Sequence, residues 1–294
     1  MSVAAQLSPE VDPVLMRRLY ADLAYYDDAA LGAHFDAYGR TEGRTASDDS
    51  TREGLIARIG TPASMLEIGP FCQPVFRGPH VRYLDVLTAE ELGARAREIG
   101  LDPSGCPEEI HYHNGLGEAA GAAFDVIFSS HNFEHQPDPI RHLNDAAAAL
   151  APEGVYAMLI PDRRFCFDHF LAETTIADVL EAYVERRARH APRHVIEHIA
   201  LTCHNDPAAH WRGEHGPRPL GDDGRLGVAL EKLAAAGDDY IDVHAWHFTP
   251  MSFRELMQGV AASGLSRMRP LRVYDTPHGR SEFVAVLQVS PSAI

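Results

Sequence analysis

Basic residues are scarce in this chain of 294 residues. Lysine and arginine together number 26 against 42 aspartates and glutamates, so the formal net charge is −16, and Lys232 is the single lysine. Affinity for nucleic acid rests on neutralising phosphates with basic side chains, and this balance therefore argues against a nucleic-acid partner. Schiff-base chemistry would have to rest on Lys232 alone.

Cysteines are few, and long apolar runs are missing. The four cysteines are Cys72, Cys106, Cys166 and Cys203. They form no C-x-x-C pair, which argues against a disulfide framework or a thiolate zinc site and favours a reducing compartment. No apolar run approaches the roughly 20 residues of a membrane span. Because the first residues also lack the pattern of a signal peptide, we expect a cytoplasmic protein.

Histidine, in contrast, is abundant, with 17 residues. Six of them lie between His190 and His215, and His194 to His198 match the H-x-x-E-H pattern of a class of zinc proteases. Two histidines four residues apart on a helix can share a metal ion. We expect this stretch to be a solvated or capping helix face, and a metal-dependent enzyme with histidine ligands stays open as an alternative.

The pattern of apolar residues divides the chain into two regions. Residues 1–50 are predicted to form a helical amino-terminal extension, followed by a polar linker that overlaps its end (Thr41–Glu53). Residues 51–294 are predicted to form one α/β domain, because strand and helix signals alternate as in a parallel sheet covered on both faces. The alternation stops after Pro161, which predicts a helical insertion over about residues 170–247, before the last helix and strands.

Seven strands are predicted in this domain. They are Ser64–Gly69, Val81–Val86, Glu109–His113, Phe124–Ser130, Gly154–Ile160, a strand near Leu271–Tyr274, and Glu282–Leu287. A capping box predicts a helix after Thr88, and further helices are predicted over Asp138–Leu150 and Met251–Ser263. The acidic pair Asp222-Asp223 is expected to lie in a loop.

Three of these strands end in residues suited to a nucleotide-like ligand. Ligands of open parallel sheets bind outside the carboxyl ends of the strands. Gly69 lets the backbone pass close to a ligand, and Asp85 can accept hydrogen bonds from both hydroxyls of a ribose. Ser130-His131-Asn132 end the fourth strand and would flank the reacting group. The turn Gly69–Pro74 has a single glycine, so it cannot be the G-x-G-x-x-G motif that binds a pyrophosphate. A ligand with a ribose and no pyrophosphate fits better, and S-adenosylmethionine is such a ligand.

Four motifs, in order between about Leu55 and Asp168, resemble those of class I S-adenosylmethionine-dependent methyltransferases. They are Leu66-Glu67-Ile68-Gly69-Pro70, Tyr83-Leu84-Asp85-Val86, the stretch from Phe124 to His135, and Leu150-Ala151-Pro152-Glu153-Gly154. Short motifs such as Glu-Ile-Gly-Pro and Glu-His-Gln-Pro-Asp are similar to those of a bacterial subset of these methyltransferases that is associated with glycosyltransferases and polysaccharide synthesis. The resemblance implies a Rossmann-like methyltransferase fold. The family's longer glycine motif is reduced here to Glu67-x-Gly69.

The resemblance also implies roles for individual residues. Those that would bind S-adenosylmethionine are Glu67, Gly69 and Pro70 at the methionine end, Asp85 at the ribose, Val86, Asn114 and Gly115 at the adenine, and Ser130 beside the methyl group. His131 would line the methyl-transfer pocket with Ser130.

A general base helps methyl transfer when the acceptor is a hydroxyl, and histidine suits this role because its unperturbed pKa is about 6.5. His131 is the best placed, since it follows the fourth strand directly, and His135 and His247 are further candidates. We therefore expect methyl transfer to an oxygen of a small-molecule or saccharide acceptor, with no metal. A non-catalytic methyltransferase-like module is the other alternative, and a homodimer stays open.

Overall fold

A six-stranded sheet forms the centre of the protein. The computed structural model describes residues 2–220 and 224–290, so Asp222 and Asp223 lie outside the described residues. The strands are β1 (Met65–Ile68), β2 (Val81–Leu84), β3 (Phe124–Ser130), β4 (Leu150–Pro161), β5 (Met268–Val273) and β6 (Glu282–Val289). Their order is β2-β1-β3-β4-β6-β5. The first four are parallel, and β6 runs antiparallel to both β4 and β5, which confirms a mostly parallel, Rossmann-like α/β sheet.

The prediction of seven strands was wrong, because the segment Glu109–His113 is not a strand. It meets the edge strand β2 in a single bridge between Leu84 and Tyr112. The imidazole Nδ1 of His111 accepts a hydrogen bond from the backbone N–H of Tyr83 at 3.2 Å. In a regular ladder the N–H of Tyr83 would donate to a backbone carbonyl. Because the His111 side chain accepts that hydrogen bond instead, strand pairing with β2 ends there.

Helices cover both faces of the sheet. They are α1 (Val3–Gln6), α2 (Pro13–Leu19), α3 (Asp28–His34), α4 (Arg40–Glu42), α5 (Arg52–Ile59), α6 (Ala89–Glu98), α7 (Pro139–Ala149), α8 (Ile176–Glu185), α9 (Pro192–Ala200), α10 (Pro207–Trp211), α11 (Arg225–Ala236) and α12 (Pro250–Ala262). Helices α8 to α11 lie in the predicted insertion. No helix among the described residues is long and apolar enough to cross a membrane.

The alternation of side chains along each strand builds two cores. Ile127 of β3 packs in a cluster with side chains of α7, α8 and α12, whereas its neighbours Val126 and Phe128 pack in a second cluster with α5. Successive residues of a strand point to opposite faces. The sheet is therefore covered on both sides, and its carboxyl edge is where a ligand can enter.

Local sequence signals explain where the covering helices begin. The side chains of Thr88 and Glu91 form the predicted capping box at the start of α6. Asp138 caps α7 by accepting a hydrogen bond from Arg141 N, with Pro139 at the first helical position. Such caps satisfy backbone donors that have no partner within the helix.

The segment Thr41–Glu53 is not the linker that we predicted. Asp49 within it is 1% exposed, and its carboxylate accepts hydrogen bonds from Ser8 N at 2.7 Å and from Arg58 Nε at 2.9 Å. The segment is polar in composition, but its buried Asp49 is bound to residues outside the segment, and composition does not reveal such pairing. A domain boundary at residue 50 stays a prediction.

Cys72 and Cys106 form a disulfide, so the expectation of unpaired cysteines was wrong for these two. They are separated by 34 residues and lie in loops that follow β1 and α6. The fold brings the two loops together, and a search for C-x-x-C pairs cannot detect such a contact. Cys166 and Cys203 are free.

We predict that Asp49 anchors the amino-terminal region. Replacing Asp49 by Ala should lower the free energy of unfolding by about 2–3 kcal/mol, because it removes a buried charged acceptor and leaves Arg58 without its partner. Urea denaturation would measure this. Asp48→Ala is the matched control, since the Asp48 side chain is 62% exposed and its loss should cost less than about 0.5 kcal/mol. Equal effects of the two substitutions would contradict the prediction.

Candidate functional site

A cavity of about 440 Å³ lies at the carboxyl ends of β1, β2 and β3. The predicted site residues that line it are Gly69, Asp85, Val86, Gly115, His131 and His135. An adjoining cavity of about 660 Å³ shares Val86 and Gly115 with it and is also lined by Asn114. The strand ends therefore bring most of the predicted residues to one cleft, of a size typical for a small-molecule ligand.

Gly69 and Asp85 shape the centre of this cavity. Gly69 has φ of +67°, and a Cβ atom built there would meet only Asn132 Nδ2, at 3.7 Å, so the space above the turn is open. The Asp85 carboxylate accepts a hydrogen bond from Leu87 N at 3.0 Å. Burial raises the pKa of Asp85. Val86, at the rim, is 76% exposed, so an apolar surface is available to a ligand.

Glu67 faces away from the cavity. Its carboxylate accepts hydrogen bonds from Val75 N at 2.8 Å and Phe76 N at 3.0 Å, and burial raises its pKa to about 7. It holds the loop that follows β1, and Glu67 does not line the cleft. Its contact with a ligand stays a prediction.

Three other predicted residues are engaged with neighbours. Ser130 Oγ accepts a hydrogen bond from Arg52 Nη2 at 2.8 Å, and the side-chain amide of Asn114 donates to Glu118. Pro70 is buried, and neither Pro70 nor Ser130 lines the cleft. Their roles toward a cofactor also stay predictions.

His131 follows β3 with a backbone φ of +51°, which turns its side chain over the sheet edge. Its Nε2 is 2.7 Å from Glu282 Oε2, and Glu282 also accepts from Arg52 Nη2 at 2.7 Å. Burial is the largest influence and lowers the pKa of His131, but the Glu282 hydrogen bond and the nearby carboxylates of Glu134 and Glu282 together outweigh it, so the pKa is raised. His131 and Arg52 bring the pKa of Glu282 to about 2 against the opposing effect of burial.

His135 is held in the same way by another carboxylate. Its Nδ1 is 2.8 Å from Asp242 Oδ1, and the Tyr240 hydroxyl donates to that oxygen at 3.1 Å. Burial is the largest influence and lowers the pKa of His135, yet the hydrogen bond to Asp242 and the nearby carboxylates of Glu134, Asp242 and Asp168 together leave the pKa raised. The hydrogen bond from His135 lowers the pKa of Asp242 to about 2.

His247 lies behind the cleft. It is 4% exposed, does not line the cleft, and its Nε2 is 4.0 Å from Asp168 Oδ1. His244, three residues earlier, makes the closer contact, with Nδ1 at 2.7 Å from Asp168 Oδ2.

Glu134 is a central residue that the sequence analysis missed. It is fully buried, and neither carboxylate oxygen has a hydrogen-bond partner. Nitrogens of His131, His135 and His244 lie 3.8, 3.8 and 3.7 Å from its Oε1. The signal was present, because residues 131 to 135 also match H-x-x-E-H, directly after a strand.

The histidines of the insertion do not form the solvated face that we expected. His194 is 6% exposed and its ring lies 5.1 Å from that of Trp246. His198 Nδ1 accepts a hydrogen bond from His244 N at 3.1 Å. Neither belongs to a group of three potential metal ligands in the described part of the chain, so the metal alternative does not gain support at this position.

Comparison with known proteins finds similarity in structure only. No family model matches the chain, and no curated protein matches it. It is similar to a S-adenosylmethionine-dependent methyltransferase from Aquifex aeolicus (12% identity, TM-score 0.39, covering 90% of this chain and 100% of that one). A protein named as a putative zinc-dependent alcohol dehydrogenase from Rhodobacter sphaeroides is also similar (12% identity, TM-score 0.43, covering 83% of this chain and 89% of that one).

A third similar structure is the Burkholderia thailandensis 1,6-didemethyltoxoflavin-N1-methyltransferase, with bound 1,6-didemethyltoxoflavin and S-adenosylhomocysteine (14% identity, TM-score 0.39, covering 97% of this chain and 93% of that one). TM-scores below 0.5 do not identify a family. The reaction has to be inferred from the site itself.

We predict that Glu67 makes stability fall as pH rises from about 5 to 7. Its pKa is about 7 in the folded protein against an ordinary value of 4.5, so the unfolded chain loses this proton first and the free energy of unfolding decreases through that window. Glu67→Gln should remove up to about 1.4 kcal/mol per pH unit of this slope. Denaturation at several pH values would measure it.

The control for this measurement is Glu90→Gln, at an exposed position on α6. Its pH slope should match that of the unmodified protein. A Glu67→Gln protein with an unchanged slope would show that the buried carboxyl does not titrate in this range.

Proposed function

We propose that the protein transfers a methyl group from S-adenosylmethionine to an oxygen of a small-molecule or saccharide acceptor. The observation that carries the proposal is the cavity at the carboxyl ends of β1, β2 and β3, with the Asp85 carboxylate at the end of β2. Ligand binding at this edge is general for open parallel sheets. The polysaccharide association rests on the sequence resemblance alone.

The residues around the cavity fit this cofactor. Asp85 offers carboxylate oxygens to the ribose hydroxyls, and Val86 offers an exposed apolar surface to the adenine. Gly69 leaves open space for the methionine end, while Glu67 and Pro70 would support the turn from behind. Gly115 and Asn114 border the adjoining cavity on the adenine side, and Ser130 would act from the end of β3. When bound, S-adenosylmethionine supplies a methyl group on a sulfonium sulfur.

His131 is the general base of this proposal. Its Nε2–H donates to Glu282, and its Nδ1, which lies 3.8 Å from Glu134 Oε1, would accept the proton of the acceptor hydroxyl as that oxygen takes the methyl group. Glu282 orients the ring and stabilises the charged imidazolium that forms. His135 also lines the cavity and is the second candidate. His247 would act by positioning, since it contacts Asp168.

The acceptor would enter through the adjoining cavity, where polar and charged side chains are frequent. Arg141, Asp145 and Arg187 line it together with Tyr240. Such groups suit a ligand rich in hydroxyls, because each buried polar group of the ligand needs a hydrogen-bond partner. A cytoplasmic location and a homodimer belong to the proposal as expectations.

Calorimetry with S-adenosylhomocysteine tests the cofactor assignment. We predict that the unmodified protein binds it and that Asp85→Asn weakens binding at least tenfold, because loss of hydrogen bonds to a charged acceptor costs about 1.5–3 kcal/mol. Asp102→Asn is the matched control, at an exposed loop position outside the cavity. Absence of binding by the unmodified protein would favour the non-catalytic module instead. Equal affinity of the Asp85 and Asp102 variants would exclude the ribose contact.

A further inference from the structure

The buried surroundings of Glu134 hold more ionisable groups than methyl transfer requires. One ligand atom each of Glu134, His135 and His244 lies within 4.8 Å of the others. We propose that these three side chains bind a divalent transition-metal ion, with His131 beside them on the cavity side. The proposal concerns metal binding and does not depend on methyl transfer.

The first argument is the unsatisfied charge of Glu134. Its side chain is 0% exposed, and both oxygens lack a hydrogen-bond partner. A buried carboxylate is costly unless it is paired or coordinates a metal. No arginine or lysine forms an ion pair with it among residues 2–220 and 224–290; the groups that face it are the imidazoles of His131, His135 and His244.

The second argument is the spacing of those imidazoles. The distances of 3.7–3.8 Å from Glu134 Oε1 to the three nitrogens are too long for hydrogen bonds, which end near about 3.2 Å. Two ligands that each lie about 2.1 Å from one tetrahedral ion are separated by about 3.4 Å. The distances from Glu134 to His135 and His244 are therefore within a few tenths of an ångström of that separation, and the ligand atoms of the three residues lie within 4.8 Å of one another.

The third argument is the set of carboxylates behind the histidines. His135 Nδ1 contacts Asp242 at 2.8 Å, and His244 Nδ1 contacts Asp168 at 2.7 Å. In both rings the other nitrogen, Nε2, is the one that faces Glu134. Histidines that bind metals commonly donate their second N–H to a carboxylate, which fixes the tautomer and makes the ligand more basic.

A second histidine cluster lacks these features. His169, His210 and His215 also lie close enough to share an ion. Two of its ring nitrogens already contact backbone carbonyls, however: His210 Nε2 contacts His204 O at 3.1 Å, and His169 Nδ1 contacts Arg164 O at 2.8 Å. No carboxylate belongs to this group, so it serves as the internal control.

Two imidazoles and one carboxylate leave further coordination positions for water or a ligand. His135, one of the three, also lines the cavity next to Gly69 and Asp85. The open positions would therefore take an oxygen donor, such as a hydroxyl or a carboxylate, from a molecule in that cavity. This last step rests on the proposed function, whereas the metal site itself does not.

Metal titration of the full-length protein tests the proposal. After treatment with a chelator, the protein is titrated with Zn²⁺ by calorimetry and with Co²⁺ by visible absorption. We expect the unmodified protein to bind one equivalent of metal ion tightly and Glu134→Gln to abolish this binding. Asp242→Asn should weaken the metal affinity by about 10–100-fold, because a carboxylate behind a ligating histidine has an effect of that size. His215→Gln should retain it. Circular dichroism verifies the fold of each variant.

Two results would overturn the metal site. One is that the unmodified protein binds no Zn²⁺; the other is that Glu134→Gln and Asp242→Asn bind it as the unmodified protein does, while His215→Gln does not. If Glu134→Gln fails to fold, Asp242→Asn decides, because Asp242 is 72% exposed. Binding of S-adenosylhomocysteine is measured separately, so failure of the cofactor assignment leaves this test intact.

Discussion

A fully buried carboxylate without a hydrogen-bond partner is the constraint around which the carboxyl edge of the sheet is arranged. Glu134 comes from the turn after β3. Of the imidazoles that face it, those of His131 and His135 belong to the same turn, and that of His244 comes from a distant part of the chain. The insertion before α12 supplies His244 and Asp242, and Asp168, which contacts the His244 ring, lies just before the insertion. The insertion therefore completes the polar centre at the carboxyl edge of the sheet by adding a third imidazole beside Glu134.

Most of the sheet could be predicted because its strands carry their own signals. Short apolar runs bounded by glycine and polar turns gave β1, β3 and β6 within a residue or two of their observed bounds. The failure at Glu109–His113 came from one side chain, since the imidazole of His111 binds the N–H of Tyr83. A propensity argument treats backbone donors as free for pairing, and it cannot detect competition from a neighbouring side chain.

Only the residues of the candidate site that directly follow strands were predictable from the sequence. Asp85 and His131 follow strands directly, so topology alone brings them to one edge. Glu282 is different: it reaches His131 because β6 runs antiparallel to β4 and begins where β4 ends, and strand direction is not written in the sequence pattern. Asp168 lies just before the insertion and Asp242 lies within it, where no periodicity relates either residue to a strand end.

Metal coordination and proton transfer, the two roles proposed for histidines at this edge, exclude one another at His135. A ring whose Nδ1 donates to Asp242 has one nitrogen left, and that Nε2 either coordinates an ion or accepts a proton. His131 has the same restriction, and its Nδ1 also lies 3.8 Å from Glu134 Oε1. His131 is not among the three clustered ligands, however, and it lines the cavity with its side chain 39% exposed. If an ion lies against Glu134, His135 is withdrawn from proton transfer and His131 remains as base. The buried carboxylate of Glu134 would thus assign different roles to His131 and His135, which lie only four positions apart in the sequence.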